Sequence, residues 1–193
     1  MKIISAEFVA GAVRADQYPQ LSVPEFAFYG KSNTGKSSLI NFLTGRHHLV
    51  KTSSTPGLTK QINFFLINDA FCLTDLPGVG YSKLPGSIRK ALGPMIEEYC
   101  LTRESLRGIF YLLDLRRDVG EAELETWREL GQRVGTKADK LGANELFRTT
   151  KKWQKHFGLA PEALFVTSVL DRTGRDKLLA HIGAACRTYP AAD

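Results

Sequence analysis

Residues 30–37 read Gly30-Lys31-Ser32-Asn33-Thr34-Gly35-Lys36-Ser37, which meets G-x-x-x-x-G-K-S/T at every fixed position. Such a run is suited to a phosphate chain. Glycines let the backbone curl around the oxygens so that successive N–H groups converge on them. Lys36 brings a positive charge to the β- and γ-phosphates, and the hydroxyl of Ser37, with Ser38 beside it, is a natural oxygen ligand for Mg²⁺. The plainer reading is a glycine turn with an incidental lysine. It fits poorly, because an apolar stretch precedes the run and a helical one follows.

Two further groups belong to the same chemistry. Asp75-Leu76-Pro77-Gly78 follows directly on an apolar run, where an aspartate can hold Mg²⁺ and the Gly78 N–H can reach a γ-phosphate. Upstream, Thr55-Pro56-Gly57-Leu58-Thr59 offers Thr59 as a second hydroxyl on the metal, although a plain strand threonine reads equally well. The expected metal ligands are therefore Ser37, Thr59 and Asp75, and Lys36, Thr59 and Gly78 are the groups expected to act on hydrolysis. Thr136-Lys137-Ala138-Asp139 has the N/T-K-x-D form that selects guanine. Asp139 can accept from both the ring N–H and the exocyclic amine, a donor pair that adenine lacks, and polar sites of this kind discriminate by roughly 10⁴-fold. The stem of Lys137 can lie along the base. Thr167-Ser168-Val169, at a strand end, is placed for backbone contacts to the guanine oxygen, with ordinary turn chemistry as the alternative.

A scaffold must bring these scattered residues together. Apolar runs at Glu25–Tyr29, Ile62–Ile67, Phe71–Asp75, Ile109–Leu113 and Leu164–Thr167 read as strands. Amphipathic stretches at Ser37–Thr44, Ser87–Leu101, Glu121–Leu130, Asn144–Phe157 and Gly174–Ala185 read as helices. Their alternation predicts an α/β fold, doubly wound around a mostly parallel sheet. Asn68-Asp69 between two apolar runs predicts one antiparallel hairpin at the sheet edge. The segment before Thr136 is unusual: only Leu130-Gly131-Gln132-Arg133-Val134-Gly135 is available where a buried strand is expected. Either the preceding helix is cut back, or the strand is truncated and the base site weakened.

With 193 residues, 43% hydrophobic and 24% charged, the chain is expected to form one domain over 1–193. No apolar run approaches the roughly 18 residues of a membrane span. The early Glu7 argues against a secretory leader, and Cys72, Cys100 and Cys186 show no metal or disulfide spacing. A cytoplasmic location is expected. The net charge of +6 suits a polyanionic partner.

The runs FYGKSNTGKSSLIN (28–41), KTSSTPGLTKQINFFLI (51–67), TDLPGVGYSK (74–83) and TKADKL (136–141) together resemble the EngB family of bacterial ribosome-assembly GTPases. Weaker matches at Ile96–Tyr99, Leu112–Arg116 and Ala6–Val9 extend the likeness over almost the whole chain. The resemblance implies a P-loop GTPase (Ras-like) domain that binds GTP or GDP with Mg²⁺. It also implies GTP hydrolysis coupled to maturation of the large ribosomal subunit, with indirect roles in cell growth, division and septation. Partners are then the large-subunit precursor and ribosomal RNA, not DNA or an integral membrane site, for a protein expected to be a monomer. A nucleotide-gated RNA-binding module and a general regulatory GTPase remain as alternatives. Val79 follows D-x-P-G where many GTPases carry a water-orienting glutamine, so hydrolysis by the chain alone is expected to be slow. Asn33 has two readings: a contact to K⁺ beside the phosphates, as in related potassium-stimulated GTPases, or a turn asparagine. Lys83, Arg89, Lys90, Arg103 and Arg107 are expected to face RNA. Lys151, Lys152 and Lys155, interleaved with Trp153, are either a second RNA contact or a solvated helix face.

Overall fold

The computed structural model describes residues 1–51, 61–78, 86–118 and 132–190, without the side chains of 86–92 and 132–133. The described strands are β1 (Ala6–Ala12), β2 (Glu25–Gly30), β3 (Ile62–Ile67), β4 (Phe71–Asp75), β5 (Leu106–Asp114), β6 (Gln132–Thr136) and β7 (Leu164–Val166). They form one sheet in the order β1-β3-β4-β2-β5-β6-β7. Pairs from β4 through β7 are parallel, and β1–β3 and β3–β4 are antiparallel. The helices are α1 (Lys36–Thr44), α2 (Gly86–Thr102), α3 (Ala143–His156) and α4 (Arg175–Arg187). The helix expected at Glu121–Leu130 lies outside the described residues.

Strand alternation decides which helix packs where, because successive side chains point to opposite faces. On β2, Phe26 and Phe28 join Leu39, Ile40 and Leu43 of α1 and Leu178, Leu179 and Ile182 of α4 in one cluster. Ala27 faces the other way, into a cluster with Phe64, Ile96 and Tyr99 of the α2 side. On β5, Phe110 and Leu112 join the first cluster, and Tyr111 and Leu113 pack with Trp153 of α3. Central parallel strands covered on both faces read as continuous apolar runs, which is why β2 and β5 stand out in the sequence.

The Asn68-Asp69 turn is as expected: φ is 52° and 51° at its two central residues, the pairing of a type I′ hairpin. This antiparallel edge is one strand wider than the sequence suggested, because β1 pairs outside β3. Its register slips between Phe8 and Ala10, and its residues are mostly exposed, so no clean period-2 pattern marks it. Asn68 fastens this N-terminal segment, its Oδ1 accepting from the N–H groups of Ile4 (2.6 Å) and Ser5 (3.0 Å).

The short segment before Thr136 does form a strand. Gln132–Thr136 pairs in parallel with both β5 and β7, with Val134 fully buried. The strand is brief but central, and it ends in register with Asp114 of β5.

At the opposite, amino-terminal end of β2 lies a buried charge. The Glu25 carboxylate accepts from Thr74 Oγ1 (2.8 Å), from the Tyr99 hydroxyl, from Arg103 Nε (2.9 Å) and from Ser105 Oγ (3.2 Å). One acid thereby ties β2, β4 and the end of α2. Arg103 is spent in this network, 9% exposed, and is not available to RNA as expected.

Candidate nucleotide site

The site lies along the carboxyl ends of the parallel strands, where a doubly wound sheet opens its crevice. The loop after β2 turns sharply at Gly30, whose φ is 148° and where a Cβ would stand 2.6 Å from the Leu112 carbonyl oxygen. Asn33 (φ 62°) and Gly35 (φ 99°) also take left-handed conformations and bring the chain into the start of α1. Thr34 Oγ1 donates to the Lys31 carbonyl (2.8 Å) and braces the loop from within.

Lys36 projects back into this loop, its Nζ donating to the carbonyls of Gly30 (2.9 Å) and Lys31 (3.1 Å). Burial lowers its pKa, and Asp75 partly opposes that shift. Ser37 Oγ donates to Asp75 Oδ2 (2.9 Å), so the two expected metal ligands meet. Burial pushes the Asp75 carboxyl up to about 6 against the opposing pull of Lys36 and Ser37. Asp75 Oδ1 is buried with no hydrogen-bond partner. An orphaned carboxylate oxygen next to a hydroxyl, in an all-oxygen set, fits a hard divalent cation such as Mg²⁺. Leu76 N–H donates to the Phe28 carbonyl (3.1 Å), which carries the chain across to the P-loop. There Gly78 packs so closely that a Cβ would lie 2.9 Å from both the Cα and the N of Ser32.

On the other side of β2, the base loop is tied to the phosphate loop. Thr136 Oγ1 lies 2.7 Å from the Thr34 carbonyl oxygen, and Lys137 Nζ donates to the Asn33 carbonyl at 2.7 Å. The Thr136 hydroxyl is therefore committed to loop geometry. The ammonium of Lys137 also pairs with Asp114 Oδ2 (3.0 Å). Asp114, at the end of β5, receives a two-pronged contact from Arg116 as well. Burial works against its charge, yet Arg116 and Lys137 hold the carboxyl well below the usual carboxylate range. Asp114 is a positioning residue that motif reading did not single out. Its signal was an acid directly after an apolar strand, the same signal that marked Asp75.

Ala138 N–H donates to the Thr167 carbonyl (3.1 Å), and Ser168 Oγ donates to Asp139 Oδ1 (2.8 Å). The TKAD loop and the Thr167-Ser168-Val169 segment are thus one unit. Burial opposes charge on Asp139, and Ser168 and Lys140 overcome it, so the carboxyl sits below its ordinary value. Asp139 Oδ2, 3.3 Å from Lys140 Nζ, has no hydrogen-bond partner. An ionised carboxylate with spare acceptor capacity suits a pair of guanine N–H donors. Asn41 is a second residue that motif reading passed over: its side chain bonds the Val50 carbonyl and N–H, both at 2.8 Å, and fixes the chain entering residues 52–60. Gly57, Leu58, Thr59, Val79 and Lys83 lie outside the described residues, as do the side chains of Arg89 and Lys90.

The family described as 50S ribosome-binding GTPase matches residues 25–141. The chain is 44% identical to the probable GTP-binding protein EngB of Treponema denticola, covering 94% of this chain and 98% of that one. It is also 44% identical to the EngB of Geobacter sp., covering 95% and 89%. Among solved structures, the fold resembles that of a probable GTP-binding protein engB (TM-score 0.67, 20% identity, 84% of this chain and 98% of that chain). It also resembles Era in complex with MgGDPNP and part of 16S ribosomal RNA (TM-score 0.66, 21% identity, 90% and 59%). A third likeness is to NFeoB from S. thermophilus bound to GDP.AlF4⁻ and K⁺ (TM-score 0.63, 20% identity, 88% and 65%). With the family match running from the first parallel strand through the guanine loop, and relatives 44% identical over nearly the whole of both chains, the chain belongs to the EngB family of GTP-binding proteins.

Proposed function

We propose that this GTPase is a Mg²⁺-dependent, intrinsically slow switch that acts in assembly of the large ribosomal subunit, as a cytoplasmic monomer of one domain. The observation that carries the reading is the convergence of Lys36, the Ser37–Asp75 pair and Asp139 at the carboxyl ends of the parallel strands, with open acceptor oxygens on both aspartates. The family description supports the ribosomal partner.

Loop N–H groups cradle the phosphates, and Lys36 exchanges its loop carbonyls for β- and γ-phosphate oxygens. Ser37 and Asp75, joined by Thr59, hold Mg²⁺, which when bound neutralises charge on the transferred phosphoryl group. The Gly78 N–H addresses the γ-phosphate from a position already packed on Ser32. Asp139 accepts the two guanine donors. Because Val79 offers no side-chain amide to orient the attacking water, turnover alone falls near the roughly 10⁻⁴ to 10⁻³ s⁻¹ of unassisted GTPases. A K⁺ ion beside Asn33 would add positive charge at the phosphates, a reading supported by the NFeoB likeness. The switch role falls to residues 46–59 and 76–86, the segments on which presence or loss of the γ-phosphate acts. A role in cell growth and division then follows indirectly from ribosome supply.

Multiple-turnover GTP hydrolysis, measured with and without large-subunit precursors and in potassium and in sodium salts, tests the reading. Stimulation by the precursor is expected. An unchanged rate, together with no GTP-dependent co-sedimentation, rejects the ribosomal role, and equal rates in the two salts reject the K⁺ site.

A further inference from the structure

Helix α3 packs Trp153, 3% exposed, and the partly buried Leu146 against residues of β5 and β7. Trp153 is thus a packing residue and not an aromatic for a partner. The opposite face carries Phe147, Arg148, Lys151, Lys152 and Lys155, all exposed, with Glu145 as the helix's lone acid. Cations in the last turn complement the helix dipole, which accounts for Lys155. It does not account for Arg148 in mid-helix, nor for a phenylalanine ring 64% exposed with Lys151 Nζ 5.9 Å from its centroid. An exposed ring among closely spaced cations is the composition of a platform for single-stranded nucleic acid: the ring stacks a base and the cations follow the phosphates. The apolar side of the helix is used up in the core, which leaves a single ring for a lipid surface, far less than an interfacial helix needs.

Position adds a second element. Sheet order puts the γ-phosphate groups, Asp75 and Gly78, on the β4 side of the P-loop, and α3 follows the guanine loop on the β6–β7 side. GDP and GTP fill the guanine loop alike. A ligand with no differential contact shifts no equilibrium.

We propose that the exposed face of α3 is a constitutive anchor for single-stranded RNA, engaged equally in the GDP and GTP states. The choice of RNA rests on the ribosomal reading above. The anchor is separate from any surface around residues 76–90 that the γ-phosphate controls.

The test uses the full chain, loaded with GDP or a non-hydrolysable GTP analogue, and a fluorescein-labelled unstructured RNA of about 20 nucleotides. Phe147→Ala is expected to weaken binding roughly tenfold. The triple variant Arg148→Gln, Lys151→Gln, Lys155→Gln is expected to make the log affinity–log salt slope shallower by about 2. Both effects must be the same in the two nucleotide states, with GTP affinity and thermal midpoint retained as the check on folding. Unchanged affinity and slope overturn the anchor, and a loss confined to the GTP state overturns its constitutive character. Capture on phosphatidylserine-containing vesicles in place of RNA reassigns the face to a membrane. Precursor particles that bind the triple variant as well as the unsubstituted chain reject α3 while leaving the ribosomal role standing. If the unsubstituted chain binds neither RNA nor particles, the ribosomal role itself fails.

Discussion

At the scale of single residues, two aspartates near the guanine loop are both held below the ordinary carboxylate value, but by different partners and for different ends. Asp139 keeps one oxygen on Ser168 and one without a hydrogen bond, ready for guanine. Asp139→Asn is expected to lower GTP affinity by roughly a hundredfold or more and to raise affinity for xanthosine triphosphate, because an amide can donate to the oxygen that replaces guanine's amine. Competition binding with the two nucleotides reads this directly, and an unchanged GTP preference removes Asp139 from the base site. Asp114 is tuned for structure. Its carboxyl pKa lies below the unfolded value of about 3.9, so its contribution is complete above about pH 4 and is lost as pH falls toward the folded value. Asp114→Asn should cost about 1–2 kcal/mol near neutrality, discounted because Arg116 is nearly half exposed. Denaturant unfolding at a series of pH values should show the gap to the unsubstituted protein closing below about pH 4. A gap that persists there would assign the effect to packing.

At the scale of elements, the nucleotide edge is assembled by ties between segments remote in sequence. Thr136 and Lys137 hold the base loop to P-loop carbonyls, and Gly78 rests on Ser32 without room for a side chain. The far end of the sheet has its own tie in Glu25, which joins β2, β4 and α2. Glu25→Ala leaves Arg103 buried without its carboxylate and strands Thr74, Tyr99 and Ser105. We expect a loss of about 3–5 kcal/mol, or roughly 10 °C in thermal midpoint. A drop of a degree or two would mean that Arg103 finds water at little cost. Since Thr74 directly precedes Asp75, the same variant should also weaken Mg²⁺-dependent nucleotide binding.

At the scale of the whole molecule, nucleotide should act as a folding ligand, because the proposed contacts come from segments at the ends of β2, β4, β6 and β7 and none survives unfolding. GTP at a hundred times its Kd should add about 2.7 kcal/mol. For a chain of this size that corresponds to a rise of roughly 5–10 °C in thermal midpoint. ATP should add nothing. Lys36→Ala should abolish the GTP-induced rise while keeping the apo midpoint within a few degrees, since the buried amine is itself an unfavourable guest in the fold. A GTP response that survives Lys36→Ala would displace the phosphate site.

Local chemistry made much of this legible in the linear chain. The P-loop, the D-x-P-G run and the TKAD loop are short because phosphate, metal and guanine each need a few groups at fixed backbone spacing. The strands β2–β4 are legible because full burial demands continuous apolar runs, and the Asn68-Asp69 turn because so few residue types accept two successive positive φ angles. What stayed hidden depends on distant partners. β1 is an exposed, bulged edge strand whose pairing is set by β3 and by the Asn68 clamp. β6 carries Gln132 and Arg133 in a short segment, and it is a strand because β5 and β7 supply hydrogen bonds on both sides. Trp153 and Phe147 are both aromatics of one basic helix, yet packing buries the first and leaves the second in solvent. Residue type and spacing state what a segment can bind, but burial and hydrogen bonding are properties of pairs of segments, and only the folded chain brings those pairs together.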